Sequence, residues 1–245
     1  MIRLVVGLGN PGKEYERTRH NAGFWLVERF AQTSGFTLRK DPKFKALVGK
    51  PAAGAVGSST FFLLPQSFMN LSGQPVQMLA GFFKFKPEEI LVVHDELDFA
   101  PGTAKLKQGG GIAGHNGLKD ISQRLATHDY WRLRIGVGKP PAGSEGADYV
   151  LQKPSAEERA AIDAAIARSL EVLPLCLAGD MQGAMTKLHT EEKKPEAAKK
   201  VPEAAQPAPA AALPAEKRAA NPAEKPAEKP AEKPAGILKS LFGKK

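Results

Sequence analysis

His20 is the residue of this chain best placed to move a proton. It follows the segment Val5-Val6-Gly7-Leu8-Gly9-Asn10-Pro11-Gly12 and precedes the apolar positions Trp25, Leu26, Val27 and Phe30. Ile2 to Val6 is a short β-branched apolar run, which predicts a buried strand. The three glycines and the proline after it predict a sharp bend that something can approach closely. Asn21 is the expected N-cap of the helix that follows. A helix N-terminus disfavours an imidazolium, and a carboxylate partner favours it, so a histidine here can be tuned as a base near neutral pH. Asp95 is the carboxylate to pair with it, because the apolar run Ile90-Leu91-Val92-Val93 leads straight into His94-Asp95. Asn10, Asn70 and Asn116 lie in loops after strands, where open α/β sheets bind ligands. Their amides can grip amide and ester carbonyls and stabilise an oxyanion. No serine sits in a Gly-x-Ser-x-Gly setting, and Cys176 lies on an apolar helical pattern, so the base is expected to activate water rather than a covalent nucleophile.

Gly7-x-Gly9-x-x-Gly12 after a strand matches the dinucleotide-binding fingerprint letter for letter. Its context does not fit. Pro11 lies inside the motif, and no helical pattern opens at Gly12. Glu28 has the spacing of a ribose carboxylate but sits on the first helix, not after a second strand.

The elements that must hold these residues alternate. Weak strands are expected at Leu47-Val48 and Ala55-Val56, and stronger ones over Thr60–Leu64, Ile90–Val93, Thr103–Lys107 and Trp131–Val137, with a last short one at Tyr149-Val150-Leu151. Helical patterns run from Trp25, over Val76–Phe83, from Leu118 to Leu125, over Ala156–Leu177 and from Met181 to Leu188. Strands alternating with helices predict an α/β layer fold with a mixed sheet. A second glycine-rich loop, Gly109–Gly117, carries His115 and Asn116, and Lys105, Lys107, Lys119, Arg132 and Arg134 surround it in a pattern that suits phosphate.

The chain has 245 residues and a formal net charge of +9. Residues 1–190 are long enough for one sizeable core, which predicts a single domain. From Glu191 onward the composition falls to Ala, Pro, Lys and Glu, with Pro-Ala-Glu-Lys repeating from Pro222, so residues 191–245 are expected to be disordered. The last ten, Gly236–Lys245, form a short basic amphipathic patch, read as a solvated end. One cysteine permits no internal disulfide. No apolar run is long enough to span a membrane, and the N-terminus is too short an apolar run for a signal peptide, so a cytoplasmic protein is expected.

Five motifs occur in order: Gly-Leu-Gly-Asn-Pro-Gly-x-x-Tyr-x-x-Thr-Arg-His-Asn-Ala-Gly (7–23), Phe-Met-Asn-Leu-Ser-Gly (68–73), His-Asp-Glu-Leu-Asp (94–98), Gly-His-Asn-Gly-Leu-Lys-Asp (114–120) and Arg-Leu-Arg-Ile-Gly-Val-Gly (132–138). Together they closely resemble bacterial peptidyl-tRNA hydrolase, over residues 1 to about 190. The resemblance implies a monomeric single domain with a twisted mixed sheet flanked by helices, needing no metal or other cofactor. Its partner would be peptidyl-tRNA, through the acceptor arm and the attached peptide. The reaction implied is cleavage of the ester between the peptide and the 3′ ribose, which recycles tRNA. The family's base falls on His20, its orienting carboxylate on Asp95, and the asparagine that senses a blocked amino end on Asn10. Asn70 and Asn116 fall on substrate-binding asparagines, with Tyr15 and Phe68 beside the acceptor end, and Lys107 and Arg134 on positions that hold tRNA phosphate. Ala113 stands where members commonly have glycine, and the tail has no counterpart.

Plainer readings exist for the same residues. Asn70 and Asn116 also suit turns. His94, Asp95, Glu96 and Asp98 with His115 have metal-ligand chemistry, but alternation along an extended segment points their side chains apart, so no metal site is expected. The rival functions are a non-catalytic RNA-binding module, against which the His20/Asp95 pair counts, and a nucleotide-dependent enzyme, against which Pro11 counts.

Overall fold

The computed structural model describes residues 1–191, so the expected tail lies outside the described residues except for Glu191, which ends the last helix. Seven strands form one sheet: β1 (Leu4–Gly7), β2 (Arg39–Asp41), β3 (Ala46–Gly49), β4 (Phe61–Pro65), β5 (Ile90–Glu96), β6 (Ala104–Gln108) and β7 (Trp131–Gly136). Their order is β2-β3-β4-β1-β5-β7-β6. The centre, β4-β1-β5-β7, is parallel, and both edges are antiparallel, so the sheet is mixed as the alternation of elements predicts. All of β1 and β5 is buried, which is why both read as continuous apolar runs rather than alternating ones.

Helices cover both faces. On one, α1 (Ala22–Thr33), α5 (Ala156–Ala178) and α6 (Met181–Glu191) pack against Val5, Leu91, Val93 and Leu133. On the other, α2 (Gly73–Phe83) and α3 (Asn116–Leu125) pack Val76, Leu79, Leu118 and Ile121 against Leu4, Val6 and Val92. The helix α1 sits directly on the strands. A Cβ on Gly23 would overlap the carbonyl of Val93 and the amide of Leu8. That contact brings the start of α1, and so His20, down to the end of β5.

Two expected strands are absent, and one strand was not foreseen. Ala55-Val56 lies in turns, because Gly54 and Gly57 adopt the left-handed conformation (φ 85° and 77°) on either side. Tyr149-Val150-Leu151 belongs to or follows α4 (Gly146–Val150), a short helix whose Tyr149 and Val150 are buried. A three-residue apolar run carries no period by which to tell the two. Strand β2 is Arg39-Lys40-Asp41, polar and largely exposed, held by backbone pairing to β3. At the opposite edge the amide of Leu106 on β6 donates to Nε2 of His189 on α6 (3.2 Å), so the last helix covers an edge strand.

Candidate active site

Asp95 lies near the C-terminal end of β5 and is 3% exposed. His20 sits in a short 3-10 turn, Arg19–Asn21, that leads into α1. Its Nδ1 lies 2.9 Å from Asp95 Oδ1 and 3.1 Å from Oδ2. An ionised carboxylate only accepts, so Nδ1 carries the proton and the opposite nitrogen, Nε2, is left as the basic one. Burial alone would lower the His20 pKa, but the adjacent Asp95 charge and its hydrogen bond more than offset this and raise it above the ordinary value of 6.5. Burial would likewise raise Asp95, and the imidazoles of His20 and His115 overcome it, holding the carboxyl well below the usual carboxylate range.

His115, given no catalytic or binding role from the sequence, supports the pair from behind. Its Nδ1 caps α3 by accepting from the amides of Gly117 (3.2 Å) and Leu118 (3.4 Å). That leaves the proton on Nε2, which donates to Asp95 Oδ1 at 3.1 Å. One carboxylate oxygen therefore serves two imidazoles. His94 points elsewhere. Its Nδ1 donates to the carbonyl of Asp95 (2.7 Å), its Nε2 is buried with no partner among the described residues, and burial foremost pushes its pKa well down.

The expectation that no metal-ligand set converges needs correction. Alternation does separate His94 and Glu96 from Asp95, but the glycine-rich loop brings His115 back onto it. Donor atoms of His20, Asp95 and His115 lie within 4.8 Å of one another. In this structure the three satisfy one another by hydrogen bonds.

A cleft of about 190 Å³ opens onto this pair, lined by His20, Asp95, His115 and Asn116, with the segment Ile112–Gly114 and α4 as walls. Asn116 is the first residue of α3, is exposed, and makes no side-chain hydrogen bond among the described residues; its neighbour His115 does the capping. Asn70 is also exposed without a side-chain hydrogen bond, so neither asparagine is occupied in a turn.

Asn10 does not line that cleft but a second depression beside it, with Asn21. It is 6% exposed and tightly held. Its Oδ1 accepts from the amide of Met69 (2.8 Å), which fixes the amide orientation. Its backbone N–H and C=O are both clasped by the Asn21 side chain (2.8 and 3.0 Å). Asn21 is therefore not the side-chain N-cap of α1 that was expected; its amide is spent on Asn10. The bond to Met69 ties Asn10 to the segment bearing Phe68 and Asn70. Tyr15 and Phe68 meet edge to face at 6.3 Å, with Phe68 58% exposed.

Lys107 and Arg134 lie further out, on β6 and β7. The register pairs Lys107 with Arg132 and Lys105 with Arg134, so Lys107 and Arg134 are diagonal neighbours. Lys107 is exposed, while Arg134 Nε pairs with Glu96 (2.9 Å). Arg132, expected on the phosphate-facing surface, is instead buried. Its guanidinium donates to the carbonyls of Gly111 (2.7 Å) and Gly109 and so pins the glycine-rich loop.

Arg19, beside the catalytic candidate, is 5% exposed. It donates to the carbonyls of Tyr149, Gln152 and Lys153 at the end of α4, and pairs with Glu158 at 2.8 Å. An arginine next to a histidine gave no sign in the sequence that it would staple the cleft wall.

A mixed α/β sheet flanked by helices, with a buried carboxylate bonded to an imidazole at its strand ends, defines a single-domain α/β protein with a cleft over that pair. The family model for peptidyl-tRNA hydrolase matches residues 4–197. Peptidyl-tRNA hydrolase of Thiobacillus denitrificans is 52% identical over 195 residues, covering 80% of this chain and 94% of that protein. The enzyme of Variovorax paradoxus is 53% identical over 192 residues, covering 78% and 90%. The crystal structure of peptidyl-tRNA hydrolase from Acinetobacter baumannii superposes with a TM-score of 0.73 at 44% identity, covering 76% of this chain and 94% of that one. The chain belongs to the peptidyl-tRNA hydrolase family.

Proposed function

We propose that this chain hydrolyses the ester joining an N-blocked aminoacyl or peptidyl group to the 3′ ribose of tRNA, as a cytoplasmic monomer, with residues 1–190 as the catalytic unit. The observation that carries this reading is the bond from His20 Nδ1 to both oxygens of the buried Asp95, in a cleft shared with Asn116.

In the proposed step, His20 Nε2 takes a proton from water as the water oxygen attacks the ester carbonyl. Asp95 holds the imidazole and stabilises its cation without taking the proton. The amides of Asn70 and Asn116 donate to the developing oxyanion. The tetrahedral adduct then collapses, the bond to the 3′ oxygen breaks, and that oxygen takes the proton back from His20. The products are tRNA with a free 3′ hydroxyl and a peptide carboxylate.

Selectivity follows from how Asn10 is held. With Oδ1 committed to Met69, Asn10 can offer substrate only its Nδ2 donors. An amide carbonyl accepts from them. A free ammonium is itself only a donor, so unblocked aminoacyl-tRNA is mismatched. Tyr15 and Phe68 would flank the acceptor end, and Lys107 and Arg134 would hold phosphate. The direct test is release of free tRNA from purified N-acetyl-aminoacyl-tRNA, with unblocked aminoacyl-tRNA and added chelator as controls. Release only from the blocked substrate, unaffected by chelator, is expected; no release, or loss with chelator, would overturn the reading.

A further inference from the structure

The positive charge of the described chain is not spread evenly. Residues 1–190 hold 23 Lys and Arg against 18 Asp and Glu, an excess of five. The β2–β3 hairpin carries Arg39, Lys40, Lys43, Lys45 and Lys50, all exposed. Arg3, before β1, and Lys84 and Lys86, after α2, are exposed alongside it. Set against Asp41, Glu88 and Glu89 nearby, these eight cations are themselves in excess by five, so the rest of residues 1–190 is balanced.

Elsewhere cations are spent on carboxylates, as in Arg19–Glu158, Arg29–Asp163, Arg124–Asp120 and Arg134–Glu96. None of the eight forms an ion pair among the described residues; Lys45 Nζ bonds only the neutral Gln74 (3.2 Å). Several instead stand over aromatic rings. Lys43 Nζ is 3.3 Å from the Phe82 centroid, Lys50 Nζ 5.1 Å from Phe61, and the Arg3 guanidinium 4.6 Å from Phe85.

The rings form a ladder. Phe44 meets Phe82 at 5.7 Å, Phe82 meets Phe83 at 4.9 Å, and Phe83 stacks on Phe61 at 4.4 Å and on Phe85 at 5.5 Å. This joins the hairpin and the end of α2 into one surface, and Phe82 is 56% exposed.

Part of it is set apart from the active site, whereas the β2–β3 turn with Lys43 and Lys45 lies at the C-terminal end of β4, where the Lys45 carbonyl accepts from the Gln66 amide (2.9 Å). Arg3 precedes β1, Lys50 follows the antiparallel β3, and Phe85 and Lys86 precede β5. These are the ends of the sheet opposite the C-terminal ends of β1 and β5 that carry the site. It runs from the β2 edge to the start of β5, whereas Lys107 and Arg134 lie on β6 and β7 toward the other edge.

We propose that this face is a second RNA-binding surface, which takes single-stranded RNA with unpaired bases while the active site holds its own substrate. Unpaired cations attract a phosphate chain, and the exposed ring of Phe82, backed by the buried Phe44 and Phe85, offers a base a stacking surface without regard to sequence. A phosphate-only partner would not need the exposed ring of Phe82.

The test is fluorescence anisotropy of a labelled oligouridylate with the full-length chain, at two salt concentrations, for the native sequence, Lys43→Glu/Lys50→Glu and Phe82→Ala. Release of tRNA from N-acetyl-aminoacyl-tRNA is measured in parallel. Binding should weaken steeply with salt, fall by about tenfold or more in the charge reversal and about tenfold in Phe82→Ala, and leave kcat/KM unchanged. Lys43→Gln/Lys50→Gln, with thermal melting, covers the case in which the reversal fails to fold; it should weaken binding in the same direction. No binding, equal binding by all variants, a raised KM that places the substrate on this face, or preference for anionic lipid vesicles over the oligonucleotide would each overturn the proposal. The binding readout needs no turnover, so it stands or falls apart from the hydrolytic reading.

Discussion

His20 Nδ1 and the two carboxylate oxygens of Asp95 lie 2.9 and 3.1 Å apart across 75 residues of chain. The bond fixes the imidazole tautomer and makes its far nitrogen more basic than burial alone would leave it. A pH dependence follows. The neutral imidazole is the working form, so kcat/KM should rise through a pKa above the ordinary 6.5 and then level. In Asp95→Asn the burial remains and the charge is gone, so the rising limb should move to lower pH. The rate at its plateau should fall by about 10²- to 10⁴-fold. An Asp95→Asn profile with an unmoved limb would show that Asp95 does not tune the base.

The orientation of Asn10 predicts a change in selectivity. Asn10→Asp keeps an oxygen for the Met69 amide but turns the substrate-facing group into an acceptor that welcomes an ammonium. The ratio of kcat/KM for N-acetyl-aminoacyl-tRNA over unblocked aminoacyl-tRNA should fall by about 10- to 100-fold. An unchanged ratio would move the selection elsewhere.

Ala113 lies in the cleft wall with φ of 47°, in the left-handed region. A non-glycine residue there costs about 1–2 kcal/mol, against about 0.5–1 kcal/mol of extra chain entropy that a glycine loses on folding. Ala113→Gly should therefore stabilise the protein slightly, by about 0.5–1 kcal/mol, read as a higher denaturant midpoint. A lower midpoint would mean that the methyl group makes a contact worth more than the strain.

Removing residues 192–245 should leave turnover on N-acetyl-aminoacyl-tRNA within about twofold, since every group assigned to the chemistry lies within the described residues. A large fall in kcat would place part of the tail in the site.

Much of this site could be read from the chain alone, because it is built from runs that betray their burial. Ile90–Val93 announces a central strand, and a carboxylate at its end has few reasons to be there. The loop of Gly7 to Gly12 likewise announces a close approach. The contacts that depend on return of the chain could not be read. His115 reaches Asp95 only because the glycine-rich loop folds back, and Asn21 abandons a cap for Asn10 because the neighbouring loop places a backbone amide and carbonyl within its reach. Arg132 looks like a surface cation until the register of β7 buries it under the loop. Strand β2 has no apolar residue to announce it, and it forms by pairing with β3.

The measurement that bears most directly on the account is single-turnover release of tRNA from N-acetyl-aminoacyl-tRNA by His20→Ala, with and without added imidazole, alongside tRNA binding. The account predicts a loss of about 10²- to 10⁴-fold in the rate, partial recovery with imidazole, and nearly unchanged binding. Release at the native rate without imidazole would show that another group takes the proton from water.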